Sequence, residues 1–260
     1  MAEALLLRAI RNEALGKFDA MRDDAQAAVE LLPGGDLAYG TLATAYYDLQ
    51  QYGDAETYCN EAIRRNPRNV LWWYDRAIVR CYQGRFAEAI TDANQALAIN
   101  PKYAFGFLAR AKAYAGLNQR EKAMADYDRA EKLDARIPDV FIERCGLYLL
   151  AGNYQAALAD ADRAVALRPK DASGYQRRAH AYIMQRDFDA ALAQVERCLE
   201  MNPDDAVSLL LKGIVLYRAG SDAEAIDVLG AALARAPTDV RTLEYRAKAY
   251  LHLGRWQEAI

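Results

Sequence analysis

Residues 70–103, VLWWYDRAIVRCYQGRFAEAITDANQALAINPKY, decide the fold because their pattern returns in residues 104–137, AFGFLARAKAYAGLNQREKAMADYDRAEKLDARI. Both stretches have an aromatic residue at the fourth position, Trp73 and Phe107, and alanine at the eighth, Ala77 and Ala111. Both are rich in residues of high helix propensity. A repeat of this length accommodates two helices of about a dozen residues and a short turn.

The step of 34 residues extends along the chain, as the prolines show. Six of the seven prolines are separated by 34 residues or a multiple of 34, and Ala135 stands where that series would place another proline. These prolines are Pro33, Pro67, Pro101, Pro169, Pro203 and Pro237. The step divides the chain without a gap into units 2–35, 36–69, 70–103, 104–137, 138–171, 172–205 and 206–239, and a partial unit 240–260. The sequence predicts a single array over residues 1–260.

Small residues recur at slots 8, 20 and 27 of each unit, where two helix backbones can approach closely. We therefore expect Ala111 at a helix contact. Most units have glycine at the turn, where a left-handed conformation favours it. These glycines are Gly16, Gly84, Gly152, Gly220 and Gly254. Asn118 also suits that position, whereas Gln50 and Arg186 suit it less well.

The pattern resembles the tetratricopeptide repeat (TPR) over essentially the whole chain. The resemblance implies an all-α fold, a right-handed superhelical α-solenoid of helix-turn-helix repeats whose first helices line a concave groove. It also implies a scaffold or adaptor that binds a protein or peptide, without naming the partner.

An arginine at slot 7 accompanies every aspartate at slot 23 of the same unit. The aspartates are Asp24, Asp92, Asp126 and Asp160, and their arginines are Arg8, Arg76, Arg110 and Arg144. This covariation predicts an ion pair between the two helices of one hairpin. The alternative is two independently solvated charges.

No pattern in the sequence indicates catalysis, a metal or a cofactor. His180 and His252 lie two units apart, without ligands at metal-binding spacing. The net charge of −3 disfavours nucleic-acid binding, and no apolar run is long enough to enter a membrane as a spanning helix. Residues 1–10 read as an amphipathic helix rather than a signal peptide. Four dispersed cysteines favour the cytoplasm, although a mature secreted chain with an added Met1 stays open.

The resemblance places slots 2, 5, 6, 9, 12 and 13 on the concave side, acidic in the first units and basic in the last. We expect a partner to contact side chains at these slots, although several could pack between units instead. The candidates are Glu13, Tyr47, Asp48, Tyr74, Asp75, Tyr82, Phe105, Leu108, Lys112, Ile142, Leu149, Arg177, His180, Tyr217, Arg218, Arg241 and Lys248.

The leading hypothesis is a peptide or helical segment of a partner held in this groove. No three consecutive units carry the Lys and Asn set of chaperone-tail clamps. Two alternatives remain: a regulatory arm of a larger enzyme or of a secretion or assembly machine, and a self-assembling scaffold. The second arises because Ile260 stops inside the last hairpin, which leaves Leu251 and Trp256 uncovered and could permit self-association through that end.

Overall fold

The computed structural model describes residues 1–259, which contain fifteen α-helices and no strand. The helices are α1 Ala2–Ala14, α2 Phe18–Leu31, α3 Asp36–Asp48, α4 Tyr52–Arg65, α5 Val70–Tyr82, α6 Phe86–Ile99, α7 Ala104–Gly116, α8 Arg120–Leu133, α9 Pro138–Leu150, α10 Tyr154–Leu167, α11 Ala172–Gln185, α12 Phe188–Met201, α13 Ala206–Ala219, α14 Asp222–Arg235 and α15 Val240–His252. The predicted all-α fold of repeated helical hairpins is confirmed.

A left-handed residue ends the turn inside each hairpin. All five predicted glycines have positive φ, between 67° and 86°. Gln50, Asn118 and Arg186 adopt the same conformation, with φ of 60°, 57° and 64°. The following amide then reaches back to the first helix, as in the 2.9 Å hydrogen bond from Arg85 N to the Arg80 carbonyl. Gln50 and Arg186 therefore adopt the left-handed conformation that the hairpin requires, although residues with a Cβ atom disfavour it.

Small residues allow the close helix contacts that the repeat predicts. Ala111 has no exposed surface, as expected, and neither have most of the alanines at slots 8, 20 and 27. Gly40 lies outside those slots and also allows a close helix contact. A Cβ atom on Gly40 would lie 2.1 Å from the ring of Trp72, which is buried against α3 and whose indole N–H donates to Asp36 over 2.8 Å.

The chain divides into two compact units, Met1–Ala135 and Arg136–Ile260, and the boundary follows Ala135, the one position of the 34-residue series where proline is replaced. That residues 1–260 form one array stays a prediction. Within each unit, the contacts that skip one helix join odd-numbered helices, such as α1 with α3 and α11 with α13. No two even-numbered helices make such a contact in the described residues. Helices on the inner side of a curved stack approach more closely, so the odd helices line the inner face of each unit.

The predicted ion pairs are present in all four hairpins. Nε and Nη2 of each arginine donate hydrogen bonds to the two carboxylate oxygens of its aspartate, with donor–acceptor distances of 2.5 to 3.0 Å. All four aspartates are buried. Arg178, whose own unit has Gln194 at slot 23, instead contacts Asp162 of the preceding unit at 3.0 Å.

After α15, residues 253, 254 and 256–259 form turns. Leu251 and Trp256 are 41% and 66% exposed, in agreement with the expectation that this hairpin lacks a cover. Among residues 1–259, no helix combines the length and apolarity that crossing a bilayer requires.

Candidate protein-binding groove

In the first unit, the inner face contains a cavity of about 210 Å³ between α1, α3 and α5, here called the acidic cavity. It brings together five predicted groove residues, and α4 contributes one wall through Cys59. The lining residues are Glu13, Ala43, Thr44, Tyr47, Asp48, Cys59, Tyr74, Asp75, Ile78 and Val79. The carboxylates come from three successive hairpins: Glu13 from slot 12 of the first unit, Asp48 from slot 13 of the second and Asp75 from slot 6 of the third.

The two aspartates of the acidic cavity have raised pKa values. Burial, and then the charge of Glu13, raise the pKa of Asp75 to about 8. The same two causes, in the same order, raise the pKa of Asp48 to about 6. One oxygen of Asp48, Oδ2, is buried and has no hydrogen-bond partner. The cavity therefore holds acidic groups that the protein itself does not neutralise.

Two aromatic clusters flank the acidic cavity. Tyr47, Tyr52 and Tyr82 have ring centroids 5.3 to 6.0 Å apart, and the Lys112 ammonium lies 4.5 Å from the centre of the Tyr82 ring. The second cluster packs Tyr74, Tyr103 and Phe105 at 5.4 to 6.2 Å. Because Tyr82 and Phe105 keep 47% and 36% of their surface exposed, the clusters offer rigid apolar contact area beside the carboxylates.

In the second unit, the inner face contains a cavity of about 240 Å³, here called the basic cavity. It brings together four predicted groove residues from α9, α11 and α15. The lining residues are Ile142, Ser173, Gln176, Arg177, His180, Val207, Leu211 and Arg241. Burial lowers the pKa of His180, and Arg241 and Arg177 lower it further because adjacent cations disfavour an imidazolium. The cavity suits an anion.

Three other candidates differ from what the sequence suggested. Leu108 and Leu149 are only 3% and 7% exposed, so they belong to the core and not to an accessible groove wall. Leu149 packs with Cys145, Ala157 and Ala181, and burial of its apolar surface stabilises the fold. Lys248 is half-buried, and it forms an ion pair with Glu244 at 2.5 Å on its own helix, which offsets its charge.

The remaining candidates lie outside both cavities. Tyr217 stacks on His252 with ring centroids 5.0 Å apart and makes an edge-to-face contact with Tyr245 at 5.7 Å, and so forms a third aromatic group on the inner face. Arg218 is exposed and, like Arg177 and Arg241, takes part in no ion pair among residues 1–259.

The cavities also contain residues that were not singled out from the sequence. Thr44, Ser173, Gln176 and Val207 occupy inward slots and could have been found by applying the slots to every unit. Cys59, Tyr52 and Tyr103 lie outside those slots. Their positions depend on how far each second helix and inter-unit turn reaches towards the inner face, which the period alone does not specify.

The inner face carries binding chemistry, and the described residues show no metal site. No group of three His, Cys, Asp or Glu side chains within residues 1–259 is close enough to hold a metal ion. Cys59 is a buried thiol whose pKa is raised well above its ordinary value, mainly by burial. It therefore stays protonated and a weak nucleophile.

Comparison with protein families identifies the repeat. One tetratricopeptide repeat model matches residues 41–104, 177–240 and 223–260, more than half of the chain, and a second matches residues 107–136. The chain belongs to the tetratricopeptide repeat family. Membership supports a general role as a protein-interaction scaffold. TPR folds are generally not enzymatic. None of the curated proteins compared with this sequence matches it.

Solved structures share the TPR fold at low sequence identity. A chain of the APC/C hetero-tetramer Cut9–Hcn1 matches with a TM-score of 0.80 and 17% identity over 94% of this chain and 48% of that one. A TPR protein from Parabacteroides merdae matches with 0.69 and 19%, over 96% and 98%. Yeast Tom70 matches with 0.68 and 17%, over 99% and 55%. This chain thus spans about half the length of the Cut9–Hcn1 and Tom70 chains.

Proposed function

We propose that this TPR chain is a scaffold or adaptor that holds a peptide or helical segment of a partner protein against the inner faces of its two units. The observation that carries the proposal is where the uncompensated charges lie. Glu13, Asp48 and Asp75 meet in one cavity, and Arg177 and Arg241 meet in another. None of these five side chains takes part in an ion pair within residues 1–259.

Most of the affinity would come from the aromatic side chains and little from the charges. Tyrosine and tryptophan are enriched among residues that dominate binding energy, and Tyr82 and Phe105 already have one side packed and the other exposed. Exposed charge pairs contribute about 0–1 kcal/mol each. Each charged cavity would instead raise the rate of association with a segment of opposite charge.

Site-specific photo-crosslinking in the native host tests this proposal. A photoreactive phenylalanine derivative is placed at Tyr82 or Leu150 of the odd helices, which are 47% and 69% exposed. The matched controls are Leu31 and Ile99 at the ends of even helices, 46% and 39% exposed. We expect adducts with a defined partner from the odd-helix positions. Adducts from the even-helix positions alone, or equally from all four, would contradict the proposal.

The compartment is a separate part of the proposal, whereas the same experiment tests self-assembly. A cytoplasmic location is our proposal, supported by four buried cysteines that form no disulfide within the described residues. An adduct with twice the mass of the chain would indicate self-association instead of a separate partner, and reaction from position Trp256 alone would assign it to the last hairpin.

A further inference from the structure

Buried aspartates elsewhere in this protein are neutralised by arginine. Asp24, Asp92, Asp126 and Asp160 are each at most 7% exposed, and each accepts two hydrogen bonds from one guanidinium. Partly buried Glu56 on α4 follows the same rule, since it accepts from Arg80 and Arg85. These five carboxylates are thus paired with guanidinium groups, as expected from the high cost of leaving such charges unpaired.

The acidic cavity departs from that rule. Asp48 and Asp75 are partly buried, and the Oδ2 atom of Asp48 has almost no contact with solvent and no hydrogen-bond donor. Neither aspartate, nor Glu13 beside them, takes part in an ion pair in the described part of the chain. The nearest guanidinium on α5, that of Arg76, is held by Asp92 and Asn60.

We propose that the acidic cavity is the binding pocket for one arginine side chain of the partner segment. This inference rests on the proposed function and names the chemistry of the partner at this point of the groove. The cavity of about 210 Å³ has room for a guanidinium and part of its aliphatic stem. Its carboxylates provide acceptors from α1, α3 and α5, and Tyr47 and Tyr74 provide aromatic walls.

Arginine fits this cavity better than a metal ion or a lysine. The carboxylates do not form a group that could close on a single ion. A guanidinium spreads five donors over a plane, so it can reach separated acceptors and stack on a tyrosine ring at the same time. It is also more weakly hydrated than an ammonium, so its transfer into a partly buried site costs less.

Occupation of the pocket is coupled to protons because the empty pocket holds them. With the pKa of Asp75 raised to about 8 and that of Asp48 to about 6, both are partly protonated near neutral pH. An entering cation favours the charged forms and releases those protons. Burial raises the pKa of Cys59, Tyr103 and Tyr47, so these three groups stay neutral in that range. The carboxylate of Glu13 on α1 also faces the two aspartates. Affinity for arginine should therefore rise between pH 6 and pH 8.

The test uses n-butylguanidinium as the probe and n-butylurea as its uncharged isostere. The full chain carries ¹³C-labelled aspartate, and the carboxyl signals of Asp48 and Asp75 are followed by NMR. We expect saturable shifts with butylguanidinium, with at least a threefold tighter Kd at pH 8 than at pH 6, and none with butylurea. The double variant Asp48→Asn/Asp75→Asn should lose the response. Asp54→Asn, an exposed acid of α4, should keep it.

The outcomes separate this inference from the proposed function, because the probe requires no partner. Equal shifts with butylurea, tighter binding of n-butylammonium, or unchanged binding in the double variant would overturn the arginine pocket. Circular dichroism checks whether the double variant is folded. We expect that it is, because asparagine resembles the protonated acid in shape. Crosslinking to a partner without any response to butylguanidinium would refute only the pocket. Binding of the probe without crosslinks would refute only the scaffold. If the natural ligand were a free guanidinium compound, the chain would form no crosslinks to a protein and would copurify with that compound.

Discussion

Arg144 and Asp160 form a bidentate ion pair that joins the two helices of one hairpin, and both side chains are only 8% exposed. Nε and Nη2 of Arg144 each donate to one oxygen of Asp160 over 2.8 Å. The pair recurs three times in the chain with increasing exposure of the arginine, up to 64% at Arg8. It sets the register of α9 against α10 at a point where most neighbouring side chains are apolar.

Removing one partner of this pair should cost more than removing both. Arg144→Met leaves the buried carboxylate of Asp160 without its guanidinium, and we expect a loss of about 3–5 kcal/mol. Arg144→Met/Asp160→Leu should lose clearly less, because no charge is stranded. The measurement is hydrogen exchange of the α9 and α10 amides, since repeat arrays need not unfold in two states.

The exposed pair Arg197–Glu200 is the control for this comparison. Its side chains are 57% and 63% exposed, and Arg197→Met should cost under about 1 kcal/mol. If the double variant at positions 144 and 160 were the least stable of the set, the pair would be contributing net attraction rather than avoiding a stranded charge.

Gly40 should not tolerate a side chain, unlike Gly53 in the next helix. A Cβ on Gly40 would lie 2.1 Å from Trp72, whereas one on Gly53 would meet nothing within 4 Å. Gly40→Ala should therefore destabilise the first unit by about 1–3 kcal/mol through overpacking. Gly53→Ala should stabilise it by up to about 1 kcal/mol through helix propensity. Urea denaturation followed by tryptophan fluorescence, with Trp256 replaced by Phe in every variant so that the signal reports only the first unit, measures both, and equal effects would contradict this packing.

The repeat period predicts the helix faces well and the depth of each side chain less well. Slots 8, 20 and 27 predicted the buried positions, including Ala111, because small residues at fixed spacing have few other uses. Leu149 occupies an inward slot, but the neighbouring helix covers it. Whether such a side chain faces solvent depends on the rotation of adjacent hairpins, and a single sequence does not encode that rotation locally.

The candidate site shows the same limit. The sequence predicted that Glu13, Asp48 and Asp75 share a face, and they line one cavity. It did not predict that Tyr103 would pack against Tyr74, because Tyr103 lies in the turn between two repeats. Contacts from turns depend on how each chain segment leaves its helix, whereas contacts within helices follow from the period.

Glycine should stabilise the two hairpin turns that lack a suitable residue. Gln50 and Arg186 have φ of 60° and 64°, where a Cβ atom is unfavourable. Gln50→Gly and Arg186→Gly should each raise the free energy of unfolding by about 0.5–1 kcal/mol. This is the backbone strain that is relieved, minus the cost of the greater freedom that glycine gives the unfolded chain. Thermal unfolding measures the gain. Asn118→Gly is the control and should gain less because asparagine tolerates this conformation.

Asp75 should make the first unit less stable as the pH rises. Its pKa is raised to about 8 in the folded chain, against about 3.9 when unfolded. The folded state therefore binds more protons between these values, and stability falls as pH increases through that window. Asp75→Asn should be close to neutral at pH 4 and stabilising by about 1–3 kcal/mol at pH 8.

The pH dependence itself is the readout for Asp75. The difference in unfolding free energy between variant and wild type should grow from pH 4 to pH 8 and then level off. Asp54→Asn removes an exposed acid of the same unit and should stay within about 0.5 kcal/mol of the wild type throughout. A variant that is equally stabilised at pH 4 would show that Asp75 is not protonated in the folded chain.

Arg177 should depress the pKa of His180, whereas Arg178 beside it in sequence should not. Arg177 lines the basic cavity with His180, and Arg178 points to Asp162. Arg177→Gln should move the pKa of His180 upwards, towards the ordinary value of about 6.5, because one of two adjacent cations is lost. Arg177→Gln/Arg241→Gln should raise it further. Burial still lowers it, so the value should stay below that of an exposed histidine. NMR titration of the His180 ring protons gives these values, and an equal rise in Arg178→Gln would exclude a specific effect of the basic cavity.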